Sequence, residues 1–137
     1  MKVHSIEQAV RYAETDRMSV VHHSTYLLWY EVGRTSLLEA AGFPYPELER
    51  SGTLFPVVEF ACQLIDSVDY GDRVRVETAV ESLRSRVVVF TYRVLCGERL
   101  IATGMTKHVA VDPNHKPHRM TDGLLEALRP YVSSAVP

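Results

Sequence analysis

Acidic and histidine side chains cluster in one short stretch near the N-terminus. Glu14 and Asp16 precede a short turn and an apolar pair, and His22 and His23 follow that pair. The pattern predicts a short strand that ends at the acidic pair and an apolar helix that begins after the histidines. A helix N-terminus can stabilise a developing negative charge because its first backbone N–H groups lack intrahelical partners. A carboxylate beside such a terminus makes this stretch a candidate reaction centre.

Four carboxylates are candidates for the catalytic acid or base. Asp16 lies at the expected turn between strand and helix, where acids are also common for structural reasons. Glu14 would lie on the same side of the strand as Asp16, since side chains alternate with a period of two, but a solvated surface position is favoured for it. Glu31 on the apolar helix ranks second to Asp16 and can pair with Arg34, three positions further on. Glu59, within a later strand, ranks below both.

The histidine pair also raises the question of a metal site, because His115 and His118 occur later in the chain. Neighbouring side chains of an extended segment point apart, and no cysteine or third ligand lies at zinc-type spacing. We therefore predict no metal. His23 is expected either to orient the substrate or Asp16, or to satisfy a backbone group where the helix begins.

The elements that must position these residues begin with a helix expected from Thr25 to Ala41. Its apolar residues cover more than one face, so it is expected to be buried nearly all round. Its aromatic residues are interpreted as core and not as a platform for nucleic-acid bases, since no basic stripe accompanies them. They are Tyr26, Trp29 and Tyr30.

Alternating and β-branched segments predict about five strands around this helix. The segments are 5–12, 57–64, 73–81, 87–96 and 100–111, and Thr121 is expected to cap a short C-terminal helix. This order is typical of an α+β fold with the helix on one face of a mostly antiparallel sheet. Because such a sheet has edges and an outer face to cover, we expect a homodimer or a larger assembly.

The composition is that of an ordinary globular chain. Of its 137 residues, 46% are apolar and 23% are charged, and the net charge is −2. This length suits one domain over residues 1–137, and the charge gives no electrostatic case for nucleic acid or a membrane surface. No apolar run has the length of a signal peptide or a membrane span. Cys62 and Cys96 lack metal-type neighbours, so we expect reduced thiols in a cytoplasmic protein.

The stretch from Tyr12 to Arg34 resembles the signature of the hotdog-fold thioesterases of the 4-hydroxybenzoyl-CoA thioesterase type, and most of all their Tol–Pal-associated branch. The matching positions are Tyr12, Glu14, Thr15, Asp16, Val20, Val21, His23, Tyr26, Glu31 and Arg34. Ser19 stands where the family usually has Gly, His22 where it has Tyr, and Thr25 where it has Asn. Segment 52–59 and Lys116-Pro117 extend the resemblance over nearly the whole chain.

This resemblance implies a hotdog fold, in which an antiparallel sheet of about five strands wraps around one long central helix. It also implies dimers joined edge to edge through their sheets, often paired again into homotetramers, with active sites at the subunit interface. The implied activity is hydrolysis of an acyl-CoA thioester to the free acid and CoA, without a cofactor. Asp16 matches the catalytic carboxylate, acting as nucleophile or as general base for water. The backbone N–H near His23 matches the donor that polarises the thioester carbonyl.

Substrate contacts are expected in the same stretch and at basic residues further along. Ser19, Val20 and Tyr26 are predicted to line the substrate site. The phosphates of CoA would need cations at its mouth, for which the candidates are Arg86 first, then Arg84, Lys107 and His108. A hotdog dehydratase is disfavoured by the Thr-Asp motif. The alternative from another class is a non-catalytic acyl-CoA-binding protein on the same scaffold, because binding and catalysis share one pocket.

Overall fold

A five-stranded antiparallel sheet with one long helix against its face forms the core of the chain. The computed structural model describes residues 2–18 and 20–133. The strands are β1 (His4–Ala9), β2 (Val57–Leu64), β3 (Arg73–Leu83), β4 (Val87–Cys96) and β5 (Arg99–Val109). The helices are α1 (Thr25–Ala40), α2 (Tyr45–Arg50) and α3 (Asp122–Leu128), and short 3-10 turns span Tyr12–Glu14 and Arg129–Tyr131. The predicted α+β order is confirmed.

The strand order across the sheet is β1-β3-β4-β5-β2, and all neighbours are antiparallel. β3 buries the face that carries Val74, Val76 and Val80, as its alternating pattern predicts. Thr121 caps α3 as expected, because its hydroxyl accepts the backbone N–H of Leu124 at 3.2 Å. Among the described residues, no helix combines the length and the apolarity needed to cross a membrane.

Two glycines let α1 lie close to the sheet. A Cβ on Gly33 of α1 would come within 2.5 Å of the hydroxyl oxygen of Thr78 on β3. A Cβ on Gly104 of β5 would collide with the ring of Tyr30, which stacks on the ring of Tyr92 with centroids 4.3 Å apart. The aromatic residues of α1 are buried, which confirms their interpretation as core.

The first strand is shorter than predicted and does not reach the acidic residues. β1 ends at Ala9, and the Tyr12–Glu14 segment forms a 3-10 turn. The turn is favoured because the Glu14 carboxylate accepts the backbone N–H of Arg11 at 2.7 Å, as in a capping box. Tyr12, the last residue of the predicted strand, lies in this turn and is 76% exposed. The acids therefore occupy a loop and not the end of a strand.

One side of α1 is open to solvent, so the expectation of burial nearly all round is wrong for the single chain. Leu28 is 55% exposed, and Val32 one turn further on is also exposed. A groove of about 330 Å³ lies between this side of the helix and β2. We call it the α1–β2 groove, and its lining residues are Leu27, Leu28, Glu31, Arg34, Val57, Val58, Phe60 and Thr106.

β2 is an edge strand with little protection against pairing. Its neighbour in the described sheet is β5, and its other edge is open. Val58, Phe60 and Leu64 are each more than half exposed. Natural edges are usually protected by lysine, proline, bulges or covering elements, whereas β2 has one charged residue, Glu59, and one register shift after Val57.

Candidate active site

Asp16 lies in a tight loop that leads into α1. Its backbone N–H donates to the carbonyl of Val20 at 2.8 Å, and Thr15 and Val21 form an antiparallel bridge. The Asp16 Oδ1 accepts the backbone N–H of Met18 at 2.7 Å, and among the described residues no donor contacts Oδ2. The side chain is exposed. The loop therefore presents a solvent-accessible carboxylate whose orientation is fixed through one oxygen.

Glu14 is a buried structural carboxylate, so the expectation of a solvated position is wrong. It is 7% exposed, and its Oε2 accepts the indole N–H of Trp29 at 2.8 Å. Its Oε1 accepts the backbone N–H of Arg11, and its backbone carbonyl accepts the N–H of His22 at 2.8 Å. Glu14 therefore ties both ends of the Asp16 loop to α1.

We expect Glu14→Ala to lower the free energy of unfolding by about 2–4 kcal/mol. The substitution leaves the indole N–H of buried Trp29 without its acceptor, which costs about 1–3 kcal/mol, and it also removes the hydrogen bond to the backbone N–H of Arg11, which contributes about 0.5–1.5 kcal/mol. Urea unfolding measures the loss against Glu39→Ala, a matched change at an exposed position of α1. Equal stability of the two variants would contradict the structural role of Glu14.

The two histidines lie immediately before α1, and both are exposed. Their rings are in contact, with centroids 4.1 Å apart. The N–H groups of Ser24 and Thr25 both donate to His22, at 3.2 Å to its Nδ1 and 3.0 Å to its carbonyl. Within residues 2–18 and 20–133, nothing accepts the backbone N–H of His23. A free N–H at a helix start is suited to bind an oxygen that gains negative charge.

The other residues predicted to line the substrate site differ in their placement. Val20 is half-buried beside Asp16 and forms an isolated bridge with Asp69. The Tyr26 ring is buried against Trp29, and this burial raises the pKa of the Tyr26 hydroxyl to about 12. Tyr26 is thus a core residue of this chain, and its contact with substrate stays a prediction. Ser19 lies outside the described residues.

Comparison with known families places this loop and helix in a wider group of proteins. A model of the thioesterase-like superfamily matches residues 10–128, which include the Asp16 loop, α1 and the whole of β2 to β5. The chain belongs to the thioesterase-like superfamily. The predicted family is therefore confirmed.

Named relatives and solved structures support the same assignment of this thioesterase. YneP of Bacillus subtilis, whose name gives acyl-CoA thioesterase as a provisional assignment, is 39% identical over 114 residues, 82% of each chain. The acyl-CoA thioester hydrolase YbgC of Escherichia coli O157:H7 is 30% identical over 105 residues, which cover 76% of this chain and 78% of YbgC. The DHNA-CoA thioesterase of Staphylococcus aureus matches with a TM-score of 0.84 at 32% identity, covering 87% of this chain and 81% of that one. The hotdog fold and the thioester hydrolase class are confirmed, and the non-catalytic alternative is disfavoured.

Within one chain, the thioesterase places Arg86 far from Asp16. The Asp16 loop is attached to the connection before β3, where the N–H of Val21 donates to the carbonyl of Val68 at 3.0 Å. Arg86 lies in the turn after β3, and the 11 residues of that strand span about 35 Å. Contact between Arg86 and a substrate at Asp16 stays a prediction. Arg84 lies in the same turn and lines a cleft with Arg119 and Arg129, and Lys107 is half-buried on β5.

His108, expected at the mouth of the pocket, is fully buried, so this prediction is wrong. Its Nδ1 donates to the carbonyl of Phe55 at 3.0 Å, so its Nε2 accepts the Thr106 hydroxyl at 2.8 Å. The Tyr92 hydroxyl then donates to Thr106 at 2.6 Å. Burial lowers the pKa of His108 to about 4, so the imidazole is neutral at pH 7. We call Tyr92, Thr106 and His108 the buried polar chain.

We expect the protein to lose stability as the pH falls from about 6.5 to about 4. The pKa of His108 is lower in the folded chain than its ordinary 6.5, so the unfolded state binds more protons in this window. The loss between pH 7 and pH 5 is on the order of 2 kcal/mol. Urea unfolding at both pH values, for the native chain and for His108→Gln, measures it.

The His108→Gln variant separates this effect from other groups that titrate nearby. His4 also has a lowered pKa, caused first by burial and then by Lys2, and its contribution has the same sign. Because His4 is present in both proteins, the difference between their pH profiles belongs to His108. Identical profiles would show that His108 does not titrate as expected.

The remaining acidic candidates lie away from the Asp16 loop. Glu31 is exposed on α1, and no ion pair joins it to Arg34 in the described structure. The Arg34 guanidinium instead lies near the hydroxyl of Tyr92. Glu59 lies on the exposed edge strand β2. Within the described ranges, no cluster of three or more His, Cys, Asp or Glu side chains could hold a metal ion.

Proposed function

We propose that this chain hydrolyses an acyl-CoA thioester to the free acid and CoA. The observation that carries the proposal is the Asp16 loop, which presents an oriented, exposed carboxylate and leads into α1 through His23, whose backbone N–H has no acceptor among the described residues. YneP and YbgC each match most of this chain, and both are named for acyl-CoA. Their names support CoA as the carrier of the acyl group.

The two groups meet the two demands of thioester cleavage. Asp16 attacks the carbonyl carbon or removes a proton from the attacking water. The N–H of His23 donates to the carbonyl oxygen as that oxygen becomes negative, and such a donor contributes on the order of 2.7–4 kcal/mol. The thiolate of CoA then leaves, and water supplies the second oxygen of the product carboxylate. No cofactor takes part.

We propose that two chains pair through β2 to form a homodimer, which pairs again into a homotetramer. In antiparallel pairing about a two-fold axis, the Leu64 end of one β2 faces the Val57 end of the other. The Asp16 loop is held by the hydrogen bond from Val21 to the carbonyl of Val68, and Val68 follows the Leu64 end of β2 in the chain. Each Asp16 loop would then lie beside the α1–β2 groove of the second chain, so one complete site needs both chains.

We place the enzyme in the cytoplasm. Cys62 and Cys96 are both free thiols, and such thiols remain reduced in the cytoplasm.

The test of the proposed reaction is release of free thiol from a panel of acyl-CoAs that differ in length and in aromatic or aliphatic character. We expect turnover on at least one member. If no member is hydrolysed and acyl-CoA still binds by calorimetry, the non-catalytic acyl-CoA-binding function takes its place.

A further inference from the structure

Arg34 is a half-buried cation that has no carboxylate partner in the described part of the chain. It lies on the third turn of α1 and lines two spaces, the open α1–β2 groove and a smaller cavity of about 70 Å³ between α1 and the sheet. We call the second space the inner cavity. Arg34 lies near the Tyr92 hydroxyl, which could accept from only part of its five N–H donors. A cation taken partly out of water is costly unless its donors find acceptors, so the remaining donors point to a ligand.

The buried polar chain cannot supply those acceptors. Tyr92 gives its hydrogen to Thr106, so toward Arg34 the Tyr92 oxygen can only accept. Both ring nitrogens of His108 are already used, one by Phe55 and one by Thr106. The buried polar chain therefore offers Arg34 at most the Tyr92 oxygen and no negative charge. Glu31 lines both spaces with Arg34, but no ion pair joins the two in the described part of the chain.

The inner cavity has apolar walls and a mixed polar lining. Leu38, Phe55, Phe90 and Leu128 belong to the walls. The polar lining consists of Glu31, Arg34, Thr35, Tyr45 and His108. Its volume of about 70 Å³ is about half that of the 150 Å³ cavity that binds benzene in an engineered protein. It can therefore hold the tip of an acyl group but not a long chain.

We propose that the groove and the inner cavity receive the distal end of the acyl group, and that Arg34 selects acyl groups ending in an oxygen that accepts hydrogen bonds. This inference rests on the proposed function and adds the class of acyl group. A terminal hydroxyl and a terminal carboxylate share this chemistry. A methyl end would remove water from Arg34 without replacing its hydrogen bonds, so methyl-ended acyl groups are disfavoured. In the proposed dimer, the groove that faces an Asp16 loop is that of the second chain.

The experiment compares kcat/KM for sets of CoA thioesters matched in length, each with an ω-hydroxyacyl, an ω-carboxyacyl and a methyl-ended member. We expect at least one oxygen-ended member to exceed its methyl-ended partner by about tenfold or more. The hydroxyl and carboxyl members show which oxygen is preferred. A native enzyme that prefers the methyl-ended member of every set would overturn the proposal.

Variants of Arg34 assign the preference to this residue. Arg34→Met keeps the length of the side chain and removes its donors, so the ratio between oxygen-ended and methyl-ended members should fall to about one. Arg34→Lys, a point charge without the planar fork, should keep part of the ratio. Arg50→Met, at an exposed position on α2, is the matched control and should keep the native ratio. Because each ratio is taken within one variant, a general loss of activity or stability cancels.

Two further results separate failure of this inference from failure of the proposed reaction. If Arg34→Met keeps the native ratio, Arg34 does not select the acyl end and the inference is wrong. If the native chain hydrolyses no set, the same sets are compared by calorimetry. A preference in Kd for oxygen-ended members that disappears in Arg34→Met would support the subsite on its own, and equal Kd values would overturn it.

Discussion

Asp16→Asn is expected to lower kcat for acyl-CoA hydrolysis by at least about 10²-fold while acyl-CoA binds with similar affinity. The amide has the shape of the carboxylate, and its oxygen can still accept the N–H of Met18. It neither attacks a carbonyl carbon nor accepts a proton from water, so the chemical step is lost. Thiol release gives kcat, and calorimetry gives Kd.

The fold is expected to survive this substitution, because Asp16 is exposed and its loop is held by other groups. Glu14 and the backbone bond between Asp16 and Val20 remain in place. Glu39→Gln, an exposed acid on α1, is the matched control and should keep native turnover. Turnover that survives Asp16→Asn but disappears in Glu31→Gln would move the catalytic role to Glu31, which lines the α1–β2 groove.

Elements with a strong local pattern were predictable from the sequence. α1 begins at Thr25 as predicted and ends one residue early at Ala40, because its apolar pattern is long and a Gly follows it. β4 matches its predicted bounds, since its β-branched and aromatic residues are uninterrupted. The pattern around Asp16 also led to the family that the comparisons confirm.

Contacts between distant residues were not predictable. Glu14 looks like a surface acid until Trp29, 15 positions further on, is seen to donate to it. His108 looks like a cation at a pocket mouth until the carbonyl of Phe55, 53 positions earlier, is seen to accept a hydrogen bond from its Nδ1. The sequence did contain one indication that His108 is buried. Thr106 and His108 are two positions apart in β5, so their side chains lie on the same face of the strand, and that face is buried.

The exposed side of α1 shows a different limit of the sequence. An apolar pattern predicts burial, but it does not say whether the covering residues come from the same chain or from another. Leu28 and Val32 remain exposed here, and the open edge of β2 lies across the groove from that side. Both apolar surfaces would be covered at once by pairing through β2, which is why the expected burial is informative although it is wrong for one chain.

Phe60→Glu is therefore expected to convert the proposed homodimer into monomers. Phe60 is 59% exposed at the middle of β2 and lines the α1–β2 groove. Burial of a Phe side chain contributes about 1.5–3 kcal/mol, and a two-fold interface loses that amount twice. The dimer Kd should rise by about 10²-fold or more, measured by analytical ultracentrifugation. Val3→Glu, an exposed apolar position beside β1 at the opposite edge of the sheet, should leave the assembly unchanged.

Turnover should fall with the assembly, because the groove beside each Asp16 loop belongs to the second chain in the proposed dimer. We expect kcat/KM of monomeric Phe60→Glu to be at least about tenfold below the native value, with circular dichroism showing that the chain remains folded. A variant that stays dimeric would place the interface on another surface. A monomer with native turnover would mean that the Asp16 loop and the His23 N–H of one chain hold the substrate without a partner.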